Sequence, residues 1–261
     1  MSLNLKRIKV ISMPIAVNLR RNFLSRLTSV LAFMLCILMA ACSVRNSETN
    51  GINEDFEFDF RVSESGWESF FTNYNVDNED GMELESGYRQ LPEPLSTSDR
   101  GLYISAVNQS DDVKMMFRRQ VTGLEPNATY NVQFRIRFAT SVPSGCVGIG
   151  GPPGEAVRVI ADASTIKPEA IVEDGYYLLN TQQMDGADSW YQNVQLGNIA
   201  NSRECEDGYE YEIKELESDP AHVTVTTNDD GAAWLMFGTR SGFEGQTELY
   251  YTFFAADFRR D

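Results

Sequence analysis

TYNVQFRIRFA, residues 129–139, decides the fold class. Tyr130, Val132, Phe134, Ile136 and Phe138 alternate strictly with Asn131, Gln133, Arg135 and Arg137. Successive side chains of an extended chain point to opposite faces, so a period of two reads as a strand with one face in a core and one in water. DFEFDF, residues 55–60, repeats the pattern, with Phe56, Phe58 and Phe60 on one face and Asp55, Glu57 and Asp59 on the other. Further strands are expected at residues 102–107, 113–121, 156–161, 221–227, 233–237 and 248–258.

Turn chemistry separates these runs. Asp80-Gly81, Asp174-Gly175, Asp185-Gly186, Asp207-Gly208 and Asp230-Gly231 all pair a turn-forming aspartate with a glycine. No segment sustains the 3.6-residue apolar stripe of a packed helix. EYEIKELES, residues 210–218, comes nearest, and it is short enough to be a helix or a strand. Many strands, frequent glycine turns and no long helix imply an all-β sandwich.

Residues 1–41 are a different polypeptide. They hold Lys6, Arg7, Lys9, Arg20, Arg21 and Arg26, no acidic residue, and then the apolar run LTSVLAFMLCILMAAC, residues 27–42. A basic head and about 15 apolar residues make a secretory signal, short of the about 20 that a spanning helix needs. The end of the run, LMAAC, resembles the bacterial lipobox, with Ala40 and Ala41 before Cys42 and Met39 in the place of the usual leucine. That resemblance implies cleavage at residue 41 and acyl chains, palmitate among them, on Cys42. Ser43 is not the aspartate that retains such proteins in the inner membrane, so the implied destination is the outer membrane. Met13 is an alternative translation start, because the basic head is long. SVRNSETNGINE, residues 43–54, is polar and aperiodic and reads as a tether. The expected organisation is a signal at 1–41, a lipidated cysteine and tether at 42–54, and a β-sandwich domain at 55–261.

Charge narrows the partners. Residues 1–41 take six of the 22 Lys and Arg and none of the 38 Asp and Glu, leaving residues 42–261 with a formal charge of −22. Such a domain repels nucleic acid and anionic lipid and admits divalent cations or basic partners. Beyond Cys42 only Cys146 and Cys205 remain. In an oxidising compartment an isolated pair is expected to form a disulfide, worth about 4 kcal/mol on the chain-entropy model; two free buried thiols are the alternative.

Three stretches carry a family resemblance. FEFDF followed by SGW, then VTGLEPNATYNVQFRIRF, then TELYYTFFAADF resemble, in that order, the galactose-binding-like jelly rolls, which include many carbohydrate-binding modules. The corner Gly123, Leu124, Pro126, Thr129, Tyr130 is shared with fibronectin-type sandwiches, so it marks the architecture and not the ligand. The chain is also similar to bacterial envelope lipoproteins with like SDD, GIGGPPG and SGFEG stretches, a likeness that brings no activity with it.

The candidate chemistry is sparse. CVGIGGPPGEAV, residues 146–157, has Pro153 where a dinucleotide loop needs its third glycine, and no P-loop lysine follows. It reads as a bend where backbones approach closely, held by Cys146. His222 is the chain's one histidine, expected on the solvated side of a strand whose Val223 and Val225 face inward; it offers no triad and no histidine-based zinc site. Asp111 and Asp112 in NQSDDVKMMF, residues 108–117, suit a turn or a shared calcium ion better than acid–base work, because adjacent strand residues splay to opposite faces. VDNEDG, residues 76–81, resembles part of a calcium loop, with Val76 where the first carboxylate belongs. In jelly rolls of the resembled class a structural calcium often joins the first and last strands, which here carry Asp59 and Asp257.

Aromatic residues in polar surroundings are the remaining clue. Trp190 and Tyr191 in DGADSWYQN, and Tyr74 between Asn73 and Asn75, are candidate sugar platforms, while Trp67 and Trp234 are expected in the core. The expected function is that of a membrane-anchored, non-catalytic binding module of the cell envelope, with glycan as the first ligand class and calcium as a structural helper. The alternatives are an assembly lipoprotein that binds another envelope protein, and a carboxylate-dependent glycan hydrolase.

Overall fold

The structure is a computed structural model that describes residues 53–109, 112–182, 194–219 and 223–260. The signal, Cys42, most of the tether, Asp111, Asp185-Gly186, Trp190, Tyr191 and His222 lie outside the described residues. Among the described residues fifteen strands follow in chain order: β1 Glu54–Asp59, β2 Glu68–Thr72, β3 Tyr74–Asn75, β4 Glu85–Gln90, β5 Arg100–Val107, β6 Val113–Val121, β7 Thr129–Thr140 and β8 Val157–Ser164. Then come β9 Ala170–Glu173, β10 Tyr176–Leu179, β11 Val194–Asn198, β12 Glu212–Glu217, β13 Val223–Thr226, β14 Ala233–Ser241 and β15 Gln246–Arg259. The ambiguous stretch at 210–218 is strand β12, because its alternation lays Lys214 and Leu216 against the sheet and turns Ile213, Glu215 and Glu217 to solvent.

Two antiparallel sheets stack as a jelly-roll β-sandwich. The larger is built on two long strands, β7 and β15, paired along their length. Each carries two short strands end to end on its free side: β5 and then β1 along β15, and β12 and then β13 along β7. β4 closes the edge beside β5. The second sheet has the order β11-β8-β14-β6-β2, and consecutive strands cross between the two sheets at β1–β2, β5–β6, β6–β7, β7–β8, β11–β12, β13–β14 and β14–β15. A third, three-stranded sheet, β3-β10-β9, lies outside this pair.

The alternation read from the sequence is the core. Tyr130, Val132, Phe134, Ile136 and Phe138 are fully buried between the sheets. Phe237 of β14 meets Phe254 of β15 at 4.5 Å, Trp67 at 4.7 Å and Tyr251 at 4.9 Å, joining the two sheets through aromatic contacts. Phe56 and Phe58 pack on this core from β1. At the GLEPNATY corner the buried Tyr130 hydroxyl accepts the Glu125 N–H at 3.1 Å, which fixes the turn into β7.

Cys146 and Cys205 form the expected disulfide, closing the loop after β7 onto the loop before β12. The glycine-rich stretch beside it is the expected close approach. A Cβ on Gly148 would strike the Phe243 ring at 2.6 Å, and one on Gly150, at φ +74, would strike the Gly242 carbonyl at 2.3 Å.

Candidate binding cleft on the five-stranded sheet

The outer face of the five-stranded sheet is ordered in cross-strand rows. Ala233, Leu235 and Phe237 of β14 enter the core, so Trp234 and Met236 must point outward. One row runs Phe70, Met116, Gly238, Ile160. Its apolar side chains join Met236 and Leu179 in a second buried cluster, because Leu179 at the end of the β9–β10 hairpin covers the middle of the face. Beyond the hairpin the next rows hold Glu68, Arg118, Met236 and Asp162, and then Gln120, Trp234 and Ser164.

A cleft opens here because β2 starts late. Its first pair is Glu68 with Arg118, so β6 from Arg119 onward has no neighbour on that side. The chain instead arrives through a turn in which Ser65 and Gly66 both adopt positive φ, and Trp67 then enters the core. Between this turn and the bare β6 edge lies a cavity of about 260 Å³ lined by Ser65, Gly66, Glu68, Arg118, Arg119, Gln120 and Trp234. That is just under the roughly 300 Å³ at which small-molecule pockets begin, a size for one ring of a longer ligand.

The cleft is polar with one aromatic wall. Glu68 accepts from Arg118 at 3.1 Å and lies 3.6 Å from the Lys167 ammonium. Arg118 also donates to the Pro168 carbonyl at 2.5 Å and stacks 5.0 Å from the Phe70 ring, so it is anchored on three sides. Lys167 sits 5.6 Å from the centre of the Trp234 ring. Arg119 shares the core-facing parity of Phe117 and Val121 but emerges at the sheet edge, its guanidinium 4.6 Å from the Phe58 ring.

The residues singled out in the sequence fare differently. Trp234 is half-buried at this cleft and not in the core; the parity of β14 places it outward, and reading the strand's alternation through Ala233 and Leu235 finds it. Tyr74 is not a platform. It is 3 % exposed, because β3 pairs with β10 and its ring packs at 4.8 Å on Tyr177, a burial that pushes its phenol well above the ordinary range. Trp67 is core, as expected.

The carboxylates are taken up by neighbours. Asp112 pairs with Arg240 and accepts from Asn73 Nδ2 at 3.1 Å, tying the turn before β6 to β14 and to the residue before β3. Asp59 and Asp257 do not meet. Asp59 lies opposite Phe253 while Asp257 lies opposite Asp55, a separation of four residues or about 13 Å along the strand. Arg61, 2.6 Å from Asp59, holds that carboxyl below its usual range, whereas burial raises Asp257. VDNEDG forms a 3-10 turn in which Asn75 caps the Asp77 N–H and Glu79 accepts the Tyr177 hydroxyl at 3.0 Å. Among the described residues no three acidic, histidine or cysteine side chains converge on a metal position.

No protein-family model and no curated protein sequence matches the chain. Solved structures with a similar course include the K1 adhesin domain of Lys-gingipain from Porphyromonas gingivalis W83, at 9 % identity and TM-score 0.36 over 80 % of this chain and 99 % of that one. A carbohydrate-binding module that recognises mannan aligns at 12 % identity and TM-score 0.37 over 81 % and 99 %. A putative sugar-binding protein from Bacteroides thetaiotaomicron VPI-5482 aligns at 11 % and 0.34 over 74 % and 88 %. At these scores the likeness carries no argument about ligand, and the sandwich stands on the strand pairing above.

Proposed function

We propose that this chain is a non-catalytic glycan-binding module of the bacterial cell envelope, held to the outer membrane through acyl chains on Cys42. The lipobox-like LMAAC and the polar stretch after it support the anchor. The observation that carries the binding reading is Trp234, a partly exposed indole on strand β14 in a cleft with Arg118, Arg119 and Gln120. An exposed ring packs on the C–H face of a sugar, and amide and guanidinium groups bond its hydroxyls. Calcium enters the proposal only as a structural helper near Asp111.

The test is a glycan-array screen of the protein with and without chelator, followed by titration of the best ligand. Trp234→Ala lowers its affinity at least tenfold, the scale of an aromatic hot spot, and leaves the unfolding temperature within a few degrees. Binding that survives Trp234→Ala unchanged puts the site elsewhere. One observation favours a second reading, a protein-docking lipoprotein: Val147 and Ile149, 96 % and 72 % exposed, stand on the disulfide-braced loop. An array with no bound glycan moves the weight to that loop.

A further inference from the structure

We propose that the Trp234 cleft takes a carboxylated sugar, a uronic-acid unit whose carboxylate docks on Arg119 while its ring lies on Trp234. The inference rests on the glycan reading above and names the ligand class for that same site.

Charge is the first ground. Residues 42–261 carry a formal −22, yet the cleft and its border gather Arg118, Arg119 and Lys167 around a single carboxylate, Glu68. Glu68 is shared by two cations and cannot neutralise three. In a domain this acidic, a cationic cleft is where the local field reverses, and such a cleft concentrates anionic ligands.

Arg119 itself is the second ground. Most other arginines of the domain are held by a carboxylate, as Arg137 is by Glu215 at 2.8 Å and Arg203 by Glu210 at 3.1 Å. Arg100 donates to the Tyr88 carbonyl and Arg158 to Gln195. Among the described residues the Arg119 side chain makes neither an ion pair nor a hydrogen bond, and only the Phe58 ring lies beneath it. Stacking engages the flat face of a guanidinium and leaves its N–H edge free. That edge is a planar fork whose geometry matches a carboxylate with two parallel hydrogen bonds.

Shape is the third. The cavity holds about one ring, and Trp234 and Arg119 both line it from different sides of the β6 edge. A neutral sugar would use the aromatic wall and leave the fork unmatched. A uronic acid uses both.

The experiment is titration of the full chain with galacturonate and glucuronate oligomers, with their neutral galactose and glucose counterparts, with sulfated oligomers of the same length, and with a DNA oligonucleotide. The expected result is at least tenfold tighter binding of a carboxylated oligomer than of its neutral counterpart, weakening as salt rises. Arg119→Ala abolishes that preference. Arg119→Lys keeps the charge and the aliphatic stem over Phe58 but loses the fork, and retains the fold with a preference reduced at least threefold. Neutral and carboxylated oligomers that bind equally through Trp234, with Arg119→Lys silent, overturn the inference and leave the glycan reading intact. Sulfated oligomers or DNA that bind as well as the uronates reduce the site to plain charge attraction and also overturn it. No binding of any sugar removes both readings.

Discussion

On the outer face of the seven-stranded sheet, Tyr103, Tyr211 and Tyr250 gather around Glu248; on that of the five-stranded sheet, Arg118 and Lys167 pair with Glu68 beside Trp234, and Arg119 reaches the same cleft from the β6 edge. Both groups are aromatic, cationic and acidic, and composition alone would nominate either as a sugar site. The first closes on itself. Glu248 accepts the Tyr103 hydroxyl at 3.2 Å with one oxygen and the Tyr211 hydroxyl with the other, the Tyr103 and Tyr250 rings meet at 4.9 Å, and the Arg89 guanidinium lies 3.8 Å over Tyr103. The second is left short of partners, with a partly exposed indole and an arginine side chain without an acceptor. A binding site is marked by hydrogen-bonding and stacking capacity that the fold leaves unused, and of these two groups the cleft has it.

The sharpest way to break the comparison is Glu248→Ala. If the tyrosine cluster is internally matched, removing its shared acceptor leaves two phenols without a partner in partly dry surroundings. An orphaned buried donor costs about 1–3 kcal/mol, so the variant should lose about 3 kcal/mol in urea unfolding while binding glycan as the parent does. An unchanged stability with lost binding would exchange the roles of the two faces.

Much of this was legible in the sequence, and the reason for each failure is physical. The period of two in residues 129–139 became β7 with its inward set buried, since alternation follows directly from strand geometry. The Cys146–Cys205 pair followed from residue count. Tyr74 misled because its polar neighbours, Asn73 and Asn75, report the local chain, whereas its burial comes from β10, a hundred residues away. Trp234 misled in the opposite sense: its apolar neighbours suggested core, while parity sends it out. Arg119 had no signal at all, because its place at the cleft depends on β2 starting at Glu68 and leaving the β6 edge bare.

A smaller effect tests whether the remainder of the five-stranded face is closed. At its far end runs the row Thr72, Lys114, Arg240, Arg158, in which Lys114 is only 2 % exposed and Arg240 is engaged by Asp112. Burial lowers the Lys114 ammonium to about 8, against a partial opposing pull from Asp162. Its unfolded value is 10.5, so between about pH 8 and 10 the unfolded chain binds the extra proton and stability rises with pH. Tyr103, Tyr211 and Tyr250 are pushed above their ordinary range, chiefly by burial, and reverse the slope above about pH 10. Between about pH 7.5 and 9.5 the parent should gain on the order of 2 kcal/mol more unfolding free energy than Lys114→Met, a difference in which the tyrosine contributions cancel. Parallel profiles of the two proteins would mean that this end of the face is wet.

The smallest effect lies in the cleft. Glu68 is 57 % exposed and its partner Arg118 13 %, so their ion pair is at the surface on one side and contributes at most about 1 kcal/mol. Glu68→Gln keeps an oxygen facing Arg118 and Lys167 while removing the one negative charge among the cleft's cations. Stability should fall by less than about 1 kcal/mol. Affinity for a uronate oligomer should rise about threefold at low salt, and the gain should fade as the Debye length shrinks from about 10 Å at 0.1 M to about 3 Å at 1 M. The neutral counterpart should bind both proteins alike. If Glu68→Gln weakens both ligands equally, the carboxylate itself bonds the sugar, and the cleft reads hydroxyls where the unpaired Arg119 argues for charge.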